Sequence, residues 1–282
     1  MDTKTYGGVT AKDIIVFQTK IMMGAQFGRI VWARDHKSEP LGNRQNEILI
    51  ACLRIGWNDA FRHTSENEDG INDTKESKGA VSTYVKKDKY KTRLLKLFRK
   101  KVKEEDVPAD FDDYFSDRVI STKDFLDIFK EYATSTANKE NIINSYWTTI
   151  ETLFNGVKKL SGSKALSLGH IQKMFNIAIK LYLCLFMCRE ELDLDYNIFN
   201  AAIVENFSNA DCPIDSIILG KLEQIGMKKA GAGAPYTTQY AGYTWSQLSS
   251  SEYRKIQDDI KDDIKTKSNG NSNLWFDFNN WN

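Results

Sequence analysis

Residues 166–176 read Leu-Ser-Leu-Gly-His-Ile-Gln-Lys-Met-Phe-Asn and run on into Ile-Ala-Ile-Lys-Leu-Tyr-Leu-Cys-Leu-Phe-Met-Cys at 177–188. Apolar residues with helical spacing and no proline make this a helix over about 169–191 that is greasy on most sides, hence central. The apolar run at 177–188 contains Lys180 and is too short to span a bilayer. Gly169 allows a backbone turn that a side chain would obstruct, and a helix opening there directs free N–H groups outward, where phosphate binds readily. His170, Lys173, Asn176 and Lys180 follow at intervals of three, three and four, a polar stripe down one face.

The same periodicity recurs outward along the chain. Helices are expected over about 11–35, 43–63, 84–104, 122–132, 138–154, 196–207, 213–225 and 249–264, the last opened by a capping box of Ser249 and Glu252. Residues 64–82 read as a flexible loop, 226–242 as a glycine-rich loop, and 269–282 as an Asn-rich tail with four aromatics. No stretch alternates at period two. The expected class is all-α, with about ten helices.

Net charge is +1, so any nucleic-acid surface must come from segregated charge rather than overall basicity. That segregation is visible at 86–103, where ten Lys or Arg accompany one acid, Asp88. Lys89, Lys96, Arg99, Lys100 and Lys103 are the expected DNA-backbone contacts, with a solvated face balanced by the acidic run 104–117 as the alternative. Cys52, Cys184, Cys188 and Cys212 read as reduced core thiols. Three histidines without ligand spacing give no metal site, and no cofactor is expected. The first residues lack the apolar core of a signal peptide, so a soluble, cytoplasmic protein is expected.

A second segment, Ala-Asp-Cys-Pro-Ile-Asp-Ser-Ile-Ile-Leu at 210–219, reads as another helix mouth. Pro213 suits a first turn, and Asp215 in that turn complements the helix dipole. From spacing alone, Lys173 and Asp215 are an amine and a carboxylate at two helix starts, or else a surface stripe and a helix-stabilising acid.

Gly169 with Lys173 four residues on resembles the hairpin of the helix-hairpin-helix DNA glycosylases, which reads Leu-Pro-Gly-Val-Gly-x-Lys. Pro213-Ile214-Asp215 is similar to the Pro-Ile-Asp form of the archaeal 8-oxoguanine glycosylase branch. Ile171 stands at the hairpin's second glycine, and 42 positions separate Lys173 from Asp215, so the helix at 196–207 is an insertion.

The resemblance implies two lobes around a cleft, with 84–190 as the hairpin lobe and 1–63 plus 195–282 as the second. It implies duplex DNA as partner, with a nucleotide flipped into a pocket. Lys173 becomes the nucleophile and Asp215 the second catalytic group. Expected substrate-binding residues are His170, Asn176, Arg54, Trp57, Asn58, Tyr240 and Trp245, with Gly169 on the DNA backbone. Some bacterial glycosylases resembling this branch remove glucosylated hydroxymethylcytosine from phage DNA, so repair and anti-phage defence are both implied. Oligomeric state is left open. Two other classes compete: a helical RNase of the higher-eukaryote-and-prokaryote nucleotide-binding type, using Arg29 and His36, and a non-catalytic helical adaptor.

Overall fold

The structure is a computed structural model that describes residues 27–61, 122–153, 167–190, 192–230, 240, 243–267 and 272–280. Among these residues there are ten α-helices, three short 3₁₀ segments and no strand. The helices are α1 (Phe27–Asp35), α2 (Leu41–Phe61), α3 (Thr122–Thr134), α4 (Lys139–Ser145) and α5 (Trp147–Leu153). They continue as α6 (Leu168–Met187), α7 (Ala201–Glu205), α8 (Ser216–Ala230), α9 (Ser250–Lys267) and α10 (Asn273–Asn280). The all-α reading holds for them. None of these helices is long and apolar enough to cross a membrane.

Helix α6 is the axle. Every residue from Leu168 to Phe186 is buried, as its near-continuous apolar composition requires. Phe175 sits among Phe125, Phe129 and Tyr132 of α3, with ring centroids 5.0–5.9 Å away. Residues from both expected lobes join one buried cluster, among them Leu49, Phe129, Leu181, Ile218, Ile260 and Phe276. All four cysteines are buried free thiols.

The most extensive pairing among the described helices is α2 on α6, and Gly56 makes its close approach possible. A Cβ there would lie 2.2 Å from the Met174 carbonyl oxygen. Replacing a helical glycine by alanine ordinarily gains up to about 1 kcal/mol in propensity. Here the clash is with backbone and wins. Gly56→Ala is expected to destabilise the fold by about 1–3 kcal/mol, read as a lower urea midpoint.

Several boundaries differ from the periodicity reading. The helix expected over 138–154 divides at Tyr146, which leaves helical geometry while its hydroxyl donates to Glu131 of α3 at 2.7 Å. Asn138 takes no helix amide, because its side chain faces the Arg254 guanidinium. The helix expected over 196–207 is broken into 3₁₀ turns flanking α7. Asp195 and Asn200 accept bonds from local amides (Asn197 at 3.0 Å, Ala202 at 3.0 Å), and such bonds compete with a continuous helix. Helix α8 runs through Ala230, so the first residues of the expected glycine-rich loop are helical. The capping box forms: the Ser249 amide donates to Glu252 at 2.8 Å, and the Glu252 amide to Ser249 Oγ at 3.3 Å.

The largest departure is the tail. Its Leu274, Phe276 and Phe278 are buried as α10, and the partly buried Trp275 packs on the core. Asp277 forms an ion pair with Lys180 in the interior, where both side chains are almost without solvent contact. The Lys180 ammonium also sits 4.4 Å from the Phe278 ring centroid. Burial pushes the Asp277 carboxyl up from its usual range, and Lys180 partly offsets this.

Candidate functional site

The mouth of α6 is stitched to the 3₁₀ segment Trp245–Gln247. Ser167 precedes the helix in extended geometry, and its hydroxyl donates to the Ser246 carbonyl rather than capping the helix. Its oxygen lies 2.9 Å from His170 Nδ1, and the His170 ring meets Trp245 edge-on at 5.3 Å. A Cβ at position 169 would fall 2.1 Å from the Trp245 carbonyl oxygen. Gly169 is therefore required for close approach of this segment. It is buried, and the segment packed on it displaces the open phosphate-binding mouth expected from sequence.

One turn further on, Lys173 projects into a small charged group. Its Nζ lies 3.0 Å from Asp59 Oδ2 on α2 and 4.0 Å from Asp215 Oδ2 at the start of α8. The Trp245 ring centroid is 4.7 Å from the same nitrogen, within cation–π range. The Lys173 side chain is 6% exposed and those of Asp59 and Asp215 are 16% and 14%. Charges this sheltered from water interact more strongly than surface pairs.

Asp215 is held in a defined pose. Its Oδ1 accepts the amides of Ile217 at 2.9 Å and Ile218 at 3.0 Å, so it is the cap of α8 rather than a first-turn residue, and Pro213 lies outside the helix. That leaves Oδ2 turned toward Lys173. Gln172 fixes the approach of this segment. Its Nε2 donates to the Gly169 and Ile214 carbonyls, both at 2.9 Å, and its Oε1 accepts the Ile214 amide at 3.1 Å. A side-chain amide thus pairs with Ile214 as a neighbouring strand would, one residue before Asp215.

Lys173, Asp215, His170 and Trp245 therefore meet. Asp59 and Gln172 join them without having been singled out in the sequence. The signal available for Asp59 was its position three residues after Gly56, which places both on the α2 face toward α6.

Asn176 does not line the site. It is fully buried, accepting from Tyr132 and donating to Tyr253, both at 2.9 Å, so its amide is spent inside the core. Tyr240 is anchored by donating to Asp259 at 2.6 Å. Arg54 is half-buried on α2, and the side chains of Trp57 and Asn58 lie outside the described residues, as do Lys89, Lys96, Arg99, Lys100 and Lys103.

Arg29 is buried and paired with Glu47 at 2.6 Å, while His36 stacks on Trp32. Among the described residues no group of three or more His, Cys, Asp or Glu is placed to hold a metal ion. No family model, curated protein or solved structure matches this chain.

Proposed function

We propose that the chain is a DNA glycosylase that excises a damaged or modified base, with Lys173 as amine nucleophile and Asp215 as the carboxylate facing the sugar. The observation that carries this reading is the 3.0 Å and 4.0 Å approach of one sheltered amine to two carboxylates from different helices. Asp59 is the nearer acid and takes the proton that Lys173 must lose before it can attack.

The free amine then bonds to the sugar C1′. The bond from C1′ to the base breaks, its electron pair leaving with the base, which is protonated. Positive charge develops at C1′ as that bond stretches, and the free oxygen of Asp215 stabilises it, as a carboxylate does in glycoside hydrolysis. The nitrogen next gives up a proton, which passes to the ring oxygen as the regained lone pair expels it, and a C1′=N iminium remains. Loss of a C2′ proton from that iminium releases the 3′ phosphate, which gives strand cleavage.

The Trp245 ring covers the amine, so an incoming nucleotide displaces it and takes its place against Lys173. His170, packed against both Ser167 and Trp245, fixes where the ring returns. Repair of damaged bases and removal of glucosylated hydroxymethylcytosine from phage DNA fit this chemistry equally, because both begin at C1′.

The test is to incubate the protein with duplexes carrying 8-oxoguanine, other damaged bases or glucosylated hydroxymethylcytosine, with and without borohydride. Hydride adds to the iminium carbon and locks a secondary amine between protein and sugar. A covalent adduct on one substrate, mapped to Lys173, is the expected result. Base release with no adduct on any duplex would remove Lys173 from the mechanism. No release at all would remove the proposal.

A further inference from the structure

A second cluster of charge lies away from Lys173, around a pocket of about 170 Å³ between the start of α4, residues 208–211 and α9. Lys139 and Asp211 both line it. Lys139 is 3% exposed, and its Nζ donates to the Asn209 carbonyl at 2.7 Å and rests 5.3 Å from the Tyr132 ring centroid. An ammonium has three donors, so the bond to Asn209 leaves capacity on a residue that lines the pocket. Asp211 accepts the Tyr253 hydroxyl on Oδ2 at 2.8 Å, which leaves Oδ1.

Each group feels the other's charge, and no ion pair closes between them. The buried Glu140 is already committed to the exposed Arg254, and Asp258 and Lys261 also line the pocket. Burial lowers the Lys139 amine and raises the Asp211 carboxyl, and in each case the partner's charge offsets the shift only in part.

A buried cation and a half-buried carboxylate on one cavity select for their complement. A simple anion would satisfy Lys139 and repel Asp211. A simple cation would do the reverse. We propose that this pocket binds a compact zwitterion of the free α-amino acid class, its carboxylate on Lys139 and its ammonium on Asp211. The volume suits a small or medium-sized amino acid and is too small for a nucleotide. The site is independent of the chemistry at Lys173.

Calorimetric titration of the full chain with glycine, alanine, serine, aspartate, glutamine and arginine tests this, with acetate and methylammonium as single-charge controls. At least one amino acid is expected to bind saturably at one site, at least tenfold more tightly than either control. Lys139→Met and Asp211→Asn are each expected to weaken that binding tenfold or more.

Because both groups are sheltered, Ser208→Trp supplies a variant that spares the core. Ser208 is an exposed lining residue, and an indole there fills the mouth. It is expected to remove binding while the thermal midpoint is retained. The inference is overturned if none of the six amino acids binds the unsubstituted protein saturably. Acetate binding as tightly as the best amino acid, or Ser208→Trp retaining full affinity, overturns it equally. No DNA enters the experiment, so its failure is separate from failure of the glycosylase reading.

Discussion

Lys173→Gln is expected to lower single-turnover base release by about 10³-fold or more and to abolish the borohydride-trapped adduct entirely. The glutamine side chain keeps length and polarity but carries no nucleophilic amine. Asp59→Asn is expected to slow release by about 10²-fold, the lower range for loss of a general base, because the amine then sheds its proton to water. The asparagine variant should recover part of its rate as pH rises, whereas the glutamine variant should not. That contrast separates a proton acceptor from a packing residue. Gel-resolved cleavage under enzyme excess measures both rates. Equal rates in Lys173→Gln and unsubstituted protein would show the amine to be structural.

The second large effect concerns stability. Asp277→Ala is expected to cost about 3–5 kcal/mol, since it takes the paired carboxylate from a buried ammonium, that of Lys180. For a domain marginal by about 5–15 kcal/mol, that is a large share of the total. The double change Lys180→Met with Asp277→Leu should recover most of the loss, because two apolar side chains of similar volume need no desolvation. Urea unfolding of the three proteins measures it. If the double variant is no more stable than Asp277→Ala, the cost lies in α10 packing rather than in the stranded charge.

Much of the helical content was legible because burial of one face imposes a 3.6-residue period, which 41–61, 122–134 and 250–267 display plainly. Lys173 and Asp215 were legible for a different reason, since helix mouths carry recognisable glycine, proline and aspartate signals. Asp59 was hidden. An acid in the middle of α2 reads as solvated until one knows that Gly56 lets α6 approach that face.

Helix α10 was hidden too, because eight residues are about two turns, too few to establish a period, while the surrounding asparagines resemble a loop. The breaks at Tyr146 and Asn200 are governed by single side-chain hydrogen bonds, which periodicity does not register.

Gln172, Asn176 and Lys180 stand four residues apart on α6, and each reaches a different part of the chain: Ile214, the Tyr132–Tyr253 pair, and Asp277. A rod sheathed in oily side chains would otherwise glide along its neighbours at little cost. These evenly spaced teeth mesh with fixed counterparts. Sliding by one turn would strand an amide, a second amide and an ammonium at once. The helix is thereby locked lengthwise, and the depth at which its charged tip meets α2 and α8 is set both beside that tip, by Gln172, and as much as two turns beyond it, by Lys180.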